Sequence, residues 1–500
     1  MQAQESGMTS NADLSTYQLF IGGKFIDSSS GKFFETADPY TLKPWARVAD
    51  ANTQDVDKAV AAARTALDGE WGAMSGFQRA ALLRRLAILI EENAEELARV
   101  EVRDSGKLFR EMLYQMSMLR DWVNYFSGLA DKLEGKTIPT DKPNFLVYTK
   151  REPVGVVAAI TPWNAPLMLM IYKMAPALAA GCTVVVKPSE LAPASTLVFA
   201  ELVKQAGFPD GVFNVITGEQ RSLGAHLSGH PGVNMVTFTG STETGRAVAK
   251  SAGQNLNRVM LELGGKSPQV VFEDADIAAA ANGVIAGIFA AAGQTCMAGS
   301  RLIVHRSVRD ELLNKVLERA KTIQLGNPQE AETEMGPISN QPQYDHILGF
   351  LRSAAEEGAT IAYGGVDNDL GGLFVKPTVI TDVTPSMRVV REEVFGPVLT
   401  VMTFETEEEA IELANQTTYG LAGSVWTMNI QRAHRVAHKV RAGTVWVNSY
   451  RALAASVPFG GFGDSGMGRE NGVDCVNEYL ENKSVWIELT GATRDPFRMV

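Results

Sequence analysis

The stretch VGVVAAITPWNAPLMLM, residues 154–170, is almost wholly apolar and decides between two architectures. A helix that crosses a membrane needs about 20 apolar residues and tolerates a central asparagine poorly. Here Pro162 and Pro166 interrupt the stretch, and Asn164 lies in its middle. A strand that is covered on both faces also reads as a continuous apolar run. The stretch therefore predicts a buried parallel strand followed by a loop.

From residue 154 onward, short β-rich runs alternate with helical segments. The first predicted strands are VGVVAAI (154–160), TVVV (183–186), VFNVIT (212–217), VNMVTFT (233–239) and PQVVF (268–272). Further predicted strands are RLIVH (301–305), KPTVITDV (376–383), VLTVMTF (398–404), GSVWT (423–427) and AGTVWVN (442–448). Strands that alternate with helices of this length predict βαβ units and parallel sheets. The fold class is therefore α/β.

Two segments predict helices, and two others fit neither the strands nor the helices. Residues 78–102 repeat leucines at helical spacing and predict one amphipathic helix. Residues 274–296, DADIAAAANGVIAGIFAAAGQTC, predict a helix with a surface of small residues that ends near the cysteine. Residues 134–153 and 483–489 read as extended, and an extended arm with an exposed edge can pair with another subunit.

Composition narrows the class of protein. A chain of 500 residues predicts two or three domains. The net charge of −11, without a Lys/Arg-rich run, argues against nucleic acid and anionic membranes as partners. Three widely spaced cysteines and no C-x-x-C pattern indicate neither disulfides nor a metal site, so we expect a reducing, cytoplasmic location. Residues 1–16 are polar, lack the apolar core of a secretion signal, and predict a disordered or extended tail.

Cys296 lies in AAGQTCMAGS, residues 291–300. A free cysteine is most often a buried and inert core residue, because reactivity needs a lowered pKa and access. Gly293, Ala298 and Gly299 nevertheless leave room for a substrate to approach. From the residues alone, both interpretations of this cysteine stay open.

Two further motifs carry polar side chains in apolar surroundings. Glu262, in LELGGKSP (261–268), is either a base with a raised pKa or an ion-paired residue near a turn. Asn164, in TPWNAP, follows a predicted strand, where ligands of open α/β sheets bind. Its amide can donate to an oxyanion or satisfy its own turn.

Two motifs favour a nucleotide. FTGSTETGR (238–246) follows a strand and opens a helix, whose first N–H groups can hold a phosphate, although its glycine spacing is not G-x-G-x-x-G. VVVKPSE (184–190) brings Lys187 and Glu190 to the end of another strand. A carboxylate there can bind ribose hydroxyls and would repel a 2′-phosphate.

Together these motifs resemble those of the aldehyde dehydrogenase superfamily. The resemblance runs from about Leu19 to about Leu489, in the family's order: TPWNAP, KPSE, FTGST, LELGGK, GQTCMAGS, EEVFGPV (392–398), NQTTYGLAGSVWT (415–427) and PFGGFGDSGMGRE (458–470). No single motif decides the matter, but eight in order across nearly the whole chain make an accidental match very improbable.

The resemblance implies a catalytic role for several residues. Cys296 would attack the aldehyde, and Asn164 with the Cys296 backbone N–H would form the oxyanion hole. After hydride transfer, Glu262 would activate the water that hydrolyses the thioester. Lys173 and Glu470 match positions linked to proton handling.

The resemblance also implies a dinucleotide, NAD rather than NADP because of Glu190, although NADP stays possible. Trp163 and Lys187 would contact its adenosine side, Gly240 and Ser241 its pyrophosphate, and Glu393 and Phe395 its nicotinamide ribose. The full expected set is Ile160, Thr161, Pro162, Trp163, Lys187, Ser189, Glu190, Gly240, Ser241, Leu263, Glu393 and Phe395.

The expected substrate tunnel departs from the family at Ala165 and Leu453, where related enzymes often carry large aromatics. Such a change either opens the tunnel or is neutral drift in an apolar wall. Arg451 either binds a carboxylate or another polar end of the substrate, or is an ordinary solvated residue. The expected lining is Met118, Trp122, Ala165, Met168, Tyr172, Thr295, Met297, Arg451, Leu453 and Phe459.

The family fold has a Rossmann-like coenzyme domain, a second α/β catalytic domain and a β-arm that joins subunits. We therefore expect an NAD-binding domain at 17–133 and 154–265, a catalytic domain at 266–475, and an oligomerisation arm at 134–153 and 476–500. The arm implies a homodimer or homotetramer. Two alternatives to hydrolytic aldehyde oxidation are a CoA-acylating semialdehyde dehydrogenase, in which the basic Glu should be absent, and a catalytically silent structural relative.

Overall fold

Short buried strands and the helices between them make up most of the chain. The computed structural model describes residues 14–367, 369–491, 495 and 497. Its strands are β1 (Ser15–Tyr17), β2 (Leu19–Ile21), β3 (Lys24–Ile26), β4 (Phe33–Ala37), β5 (Pro44–Ala49), β6 (Phe145–Pro153), β7 (Val156–Ile160), β8 (Thr183–Lys187), β9 (Phe213–Val215), β10 (Met235–Thr239), β11 (Arg258–Glu262), β12 (Pro268–Val271), β13 (Arg301–His305), β14 (Thr360–Tyr363), β15 (Thr378–Thr381), β16 (Val398–Phe404), β17 (Ala422–Trp426), β18 (Thr444–Val447), β19 (Gly466–Met467) and β20 (Leu480–Glu488). Its helices are α1 (Thr53–Asp68), α2 (Glu70–Ala73), α3 (Gly76–Glu92), α4 (Ala94–Ser105), α5 (Phe109–Ser127), α6 (Pro166–Ala180), α7 (Ala194–Ala206), α8 (Arg221–Ser228), α9 (Thr242–Gly253), α10 (Ile277–Ile288), α11 (Arg309–Thr322), α12 (Gln341–Glu356), α13 (Arg388–Arg391), α14 (Glu407–Asn415), α15 (Ile430–Lys439) and α16 (Gly472–Glu478).

Two large sheets confirm the prediction of parallel α/β architecture. One has the strand order β19-β11-β10-β7-β8-β9-β2-β3. Its strands from β11 to β9 run parallel, whereas β19 at one end and β2 and β3 at the other are antiparallel to their neighbours. The other has the order β14-β15-β16-β13-β12-β17-β18 and is parallel except at β14. Residues 154–170 form β7, a short loop and the start of α6, a helix whose side chains are buried except that of Met168.

The carboxyl ends of the strands in the first sheet lie at one edge. Thr239, the last residue of β10, is in register with Glu262, the last residue of β11. Ile160 ends β7 and is in register with Lys187 at the end of β8. Because side chains at this edge of a parallel sheet converge above it, residues more than a hundred positions apart are gathered there.

A separate two-stranded sheet joins β6 to β20 along nine paired residues each. Leu146, Trp486 and Ile487 are between 41% and 52% exposed on it. These strands fall in the segments predicted as an oligomerisation arm. The arm's role and the domain boundaries at residues 265 and 475 stay predictions, and β19, at Gly466–Met467, pairs with the first sheet rather than the second.

Two of the predicted helices differ from the structure. Residues 78–102 form two helices rather than one, because the Asn93 amide donates to the Leu89 carbonyl and ends α3. The helix expected to run to Cys296 ends at Ile288, and a tight turn follows. At the N-terminus, Ser15 and Thr16 of the predicted tail lie in β1, and residues 1–13 are outside the described part of the chain.

No helix among the described residues is long and apolar enough to cross a membrane.

The small-residue surface of α10 is a packing surface. A Cβ at Gly283 would overlap the indole of Trp426, and one at Gly287 would lie 2.8 Å from the Gln269 amide. The alanines and glycines of this helix therefore let it approach the second sheet closely.

We expect Gly283→Ala to destabilise the protein by about 1–3 kcal/mol, because overpacking outweighs the helix propensity that alanine adds. Gly253→Ala at the end of α9 is the matched control, since a Cβ there meets no atom within 4 Å. Thermal or urea unfolding measures both, and a Gly283→Ala protein as stable as the control would contradict this account.

Candidate active site

The loop that carries Cys296 begins with a left-handed turn. Ala291, Ala292 and Gly293 have φ angles of 53°, 51° and 70°. This region costs an L-residue about 1–2 kcal/mol. A Cβ at Gly293 would overlap the Gly396 carbonyl, so only glycine fits that position. Residues 289–297, called the nucleophile loop below, are therefore held in a strained conformation by their surroundings.

Cys296 is half-buried and lies against an apolar cluster that includes Met297, Leu421 and Phe459. The pKa of the thiol is raised to about 12. Loss of water around the sulfur is the largest cause, and the negative charges of Glu262 and Glu393 contribute to the shift. The resting side chain is a neutral thiol. An attack on an electrophile therefore requires a group that takes up its proton.

Glu262 is only 3% exposed. Neither of its carboxylate oxygens has a hydrogen-bond partner among the described residues. Burial raises its pKa well above the ordinary range, the Glu470 carboxylate adds to that shift, and Lys173 opposes it. A Cβ at Gly460 would lie 2.5 Å from Oε1, so the backbone approaches this carboxylate closely. Among the alternatives from the sequence, the ion pair near a turn does not fit, because Glu262 forms no ion pair with any residue that the structure describes.

Lys173 and Glu470 form a buried ion pair, with side chains 0% and 1% exposed. The Lys173 ammonium also donates to the Thr239 hydroxyl at 2.6 Å. Since Glu470 and Lys173 both act on the pKa of Glu262, the pair lies within electrostatic reach of it.

Asn164 is buried, and its amide donates to the carbonyl of Gln294 at 2.9 Å. Gln294 in turn accepts the Ser339 N–H at 2.9 Å. The amide thus points at the nucleophile loop two residues before Cys296 instead of satisfying its own turn. This geometry is compatible with the expected oxyanion role.

The expected coenzyme residues follow the same strand ends. Ser241 caps α9 by accepting the Thr244 N–H, and a Cβ at Gly245 would overlap Leu263. The Lys187 ammonium is 3.7 Å from the Glu190 carboxylate. Ile160 ends β7 and is followed by Thr161 and Pro162, and Ser189 lies two residues after the end of β8.

A second group of expected coenzyme residues comes from another part of the chain. The rings of Trp163 and Phe395 meet edge to face with centroids 5.4 Å apart. Glu393 accepts the Gly265 N–H at 3.0 Å, and burial raises its pKa to about 7. A Cβ at Gly264 would overlap the Glu393 carboxylate. The glycine pair of LELGGK therefore lets the backbone receive that carboxylate.

The expected substrate residues fall into two apolar clusters. Met118, Trp122, Ala165, Met168 and Tyr172 belong to the core around α5 and α6. Met297 and Phe459 belong to the cluster around Cys296, and Leu453 contacts both clusters. Thr295 is buried beside the thiol, and its hydroxyl has no partner among the described residues.

The structure contradicts one of the two alternatives for Arg451. It is half-buried, with φ 65°, and its Nη1 donates to the carbonyls of Ala286 and Ala290 at 3.2 and 3.3 Å. An ordinary solvated surface position is therefore wrong, and contact with a substrate stays a prediction.

Sequence reasoning missed several residues that hold this site together. They are Gln294, the partner of Asn164; Tyr450, whose hydroxyl donates to the Met297 carbonyl at 2.7 Å; Asn471, which accepts the Trp122 indole N–H at 2.9 Å; and Gly460. Gln294 is part of the GQTC motif, whereas nothing in the sequence marks Tyr450.

Asp57, His226 and His230 form the one group of metal-type side chains found among the described residues. His226 and His230 approach the same Asp57 oxygen at 2.7 and 3.3 Å. The Nδ1 of His230 accepts the Gly232 N–H, so the proton of its neutral ring is on Nε2 and faces Asp57. The Nε2 of His230 therefore has no lone pair for a metal, and hydrogen bonds within the group already use these side chains.

Comparison with known proteins decides the family. The model of the aldehyde dehydrogenase family matches residues 25–485. The chain belongs to the aldehyde dehydrogenase family.

The similar proteins are dehydrogenases of that family. A (Z)-2-((N-methylformamido)methylene)-5-hydroxybutyrolactone dehydrogenase from Acinetobacter baylyi is 46% identical over 97% of this chain and 99% of its own. Aldehyde dehydrogenase 1 from Tanacetum cinerariifolium is 46% identical over 95% of each chain. The crystal structure of betaine aldehyde dehydrogenase from Staphylococcus aureus in complex with NAD+ has a TM-score of 0.94, with 42% identity over 95% of each chain.

The raised thiol pKa of this aldehyde dehydrogenase predicts a specific pH dependence. Without aldehyde or coenzyme, the rate at which iodoacetamide alkylates Cys296 should rise about tenfold per pH unit from about pH 7 to 10, because the thiolate fraction does so below the pKa. Glu393→Gln should raise the rate at each pH, since it removes a negative charge near the sulfur. A plateau near pH 8 would contradict the buried, neutral thiol.

Proposed function

We propose that this enzyme oxidises an aldehyde to the carboxylic acid through a thioester on Cys296, with NAD as hydride acceptor. The observation that carries the proposal is that the Glu262 carboxylate is buried and has no hydrogen-bond partner in the described part of the chain. Its negative charge also contributes to the raised pKa of the Cys296 thiol. A buried carboxylate without a partner costs stability, so its presence here points to a role in the chemistry.

In the first half of the reaction, the Cys296 sulfur adds to the aldehyde carbon, and its proton passes to a base within the site. The carbonyl oxygen becomes an alkoxide, for which the Asn164 amide and the Cys296 N–H are the expected donors. The Gln294 carbonyl orients that amide.

In the second half, Glu262 takes a proton from the water that attacks the thioester, and the sulfur leaves as the acid forms. This step needs the ionised carboxylate. Because burial and Glu470 raise the pKa of Glu262, hydrolysis should become faster as the pH rises through that pKa.

The residues at the sheet edge fit NAD. The N-terminus of α9 behind Gly240 and Ser241 can receive a pyrophosphate, and Lys187 with Glu190 can receive an adenosine ribose. Glu393 and Phe395 reach the same site from the second sheet. The bound coenzyme would supply the acceptor for the hydride that leaves the substrate carbon. Glu190 favours NAD over NADP, because a 2′-phosphate would meet a carboxylate.

We propose that the substrate is a medium-sized aldehyde with a polar end, of which a semialdehyde is one case. Support comes from the mixed lining, in which apolar Ala165, Met168 and Leu453 accompany the half-buried Arg451. The positive charge of Arg451 disfavours a cationic aldehyde such as betaine aldehyde. A homo-oligomer through the β6–β20 arm and a cytoplasmic location complete the proposal.

Cys296→Ala should abolish NADH formation from a panel of aldehydes, by at least about 10⁴-fold, whereas Cys182→Ala, at a buried thiol outside the motifs, should leave it within about twofold. Glu262→Gln should give a rapid burst of up to one NADH per active site, followed by turnover about 10²–10⁴-fold slower than wild type. An active Cys296→Ala enzyme would overturn the mechanism.

The same assay separates the alternatives. Coenzyme A should not speed turnover of the wild-type enzyme, which it would do in a CoA-acylating dehydrogenase. Turnover by the wild-type enzyme excludes a catalytically silent relative.

For the polar end, kcat/KM of Arg451→Ala should be measured on a semialdehyde and on an uncharged aldehyde of equal length. We expect an additional loss of about tenfold on the semialdehyde, as for a charge-assisted hydrogen bond. Equal losses on both aldehydes would remove Arg451 from substrate binding.

A further inference from the structure

The loop after β18, residues 448–453, contacts the nucleophile loop on both sides of the cysteine. Tyr450 donates its hydroxyl to the Met297 carbonyl, one residue after Cys296, at 2.7 Å. Arg451 donates to the carbonyls of Ala286 and Ala290, before the cysteine. Two adjacent residues of one loop thus hold both ends of the turn that carries the thiol.

The turn needs such support. Ala291 and Ala292 are alanines in the left-handed region, which an L-residue leaves unless its surroundings prevent it. The α10 helix ends just before them, and its last carbonyls carry the partial negative charge of a helix C-terminus. A guanidinium at that position both caps the helix and fixes the point from which the turn departs.

The 448–453 loop is itself fixed. The Trp446 indole donates to the Ala452 carbonyl at 2.9 Å. Asn448 exchanges two hydrogen bonds with the Thr427 backbone, at 3.0 and 2.9 Å. Asn448 and Arg451 also have positive φ angles, 50° and 65°. Because the 448–453 loop is anchored to the ends of β17 and β18, it fixes the nucleophile loop relative to the second sheet.

We propose that Tyr450 and Arg451 are positioning residues that clamp the nucleophile loop and set the approach of the Cys296 sulfur to the aldehyde. The inference rests on the proposed role of Cys296. It gives Arg451 a task that is independent of the substrate, because its bonds to the two alanine carbonyls exist without one.

The test uses the free thiol, without aldehyde or NAD, and needs no turnover. Tyr450→Phe removes one hydroxyl, and Arg451→Met removes the guanidinium but keeps an unbranched side chain. We expect each to slow iodoacetamide alkylation of Cys296 by about fivefold, and kcat by a similar factor, with the KM for NAD within about twofold. Arg451→Lys, which keeps a donor, should recover most of the rate.

The matched control is Arg79→Met. Arg79 is also half-buried and donates to backbone carbonyls, those of Met74 and Ala179, but it contacts no residue of the nucleophile loop. In the Arg79→Met variant, iodoacetamide should alkylate Cys296 at the wild-type rate. Tyr114→Phe, at a 70% exposed tyrosine, controls for loss of a hydroxyl. Thermal unfolding of each variant checks that it is folded.

Wild-type alkylation rates in both Tyr450→Phe and Arg451→Met, or losses confined to the KM for the aldehyde, would overturn the clamp. If Arg451→Met does not fold, Tyr450→Phe alone decides. Peptide mapping identifies the alkylated cysteine. The result is distinct from failure of the proposed function, because an active Cys296→Ala enzyme would refute that function whatever the alkylation rates are.

Discussion

Glu262 is buried at the end of β11, and neither of its carboxylate oxygens is hydrogen-bonded to any residue that the structure describes. Much of the site follows from that constraint. Burial away from water raises the pKa of the Glu262 carboxyl group. When this group is ionised, its charge raises the pKa of the Cys296 thiol. The resting site therefore favours neutral forms of both groups. The Lys173–Glu470 pair adds opposing charges at the same place, so its influence on Glu262 partly cancels.

Three glycines around Glu262 and Cys296 let other groups come close to the backbone. Gly460 admits the Glu262 carboxylate, Gly264 admits Glu393, and Gly293 admits the Gly396 carbonyl. Each would be blocked by a Cβ. The strained left-handed turn before Cys296 has a related role. It redirects the chain away from the axis of α10, which packs closely on Trp426, and so leads to the thiol.

The sequence was informative where the fold gathers residues at strand ends. Val-rich runs predicted the strands, and the motif after each run predicted which side chains meet, since parallel strands share a carboxyl edge. The break at Asn93 and the end of α10 at Ile288 were missed, because helix-forming Glu and Ala residues flank Asn93 and small or apolar residues continue past Ile288. The hydrogen bonds of Arg451 to backbone carbonyls were not predicted, because its partners lie more than 160 residues away in the chain. Long-range hydrogen bonds to backbone carbonyls leave no pattern in the sequence.

The most direct test of the account is to trap the intermediate. Glu262→Gln enzyme is mixed with NAD and an aldehyde, quenched in acid within the burst, and its peptides are weighed by mass spectrometry. We expect one acyl group per subunit on the peptide that contains Cys296, with the peptides of Cys182 and Cys475 unmodified. An acyl group elsewhere, or NADH formed without any acylated peptide, would contradict a thioester on Cys296.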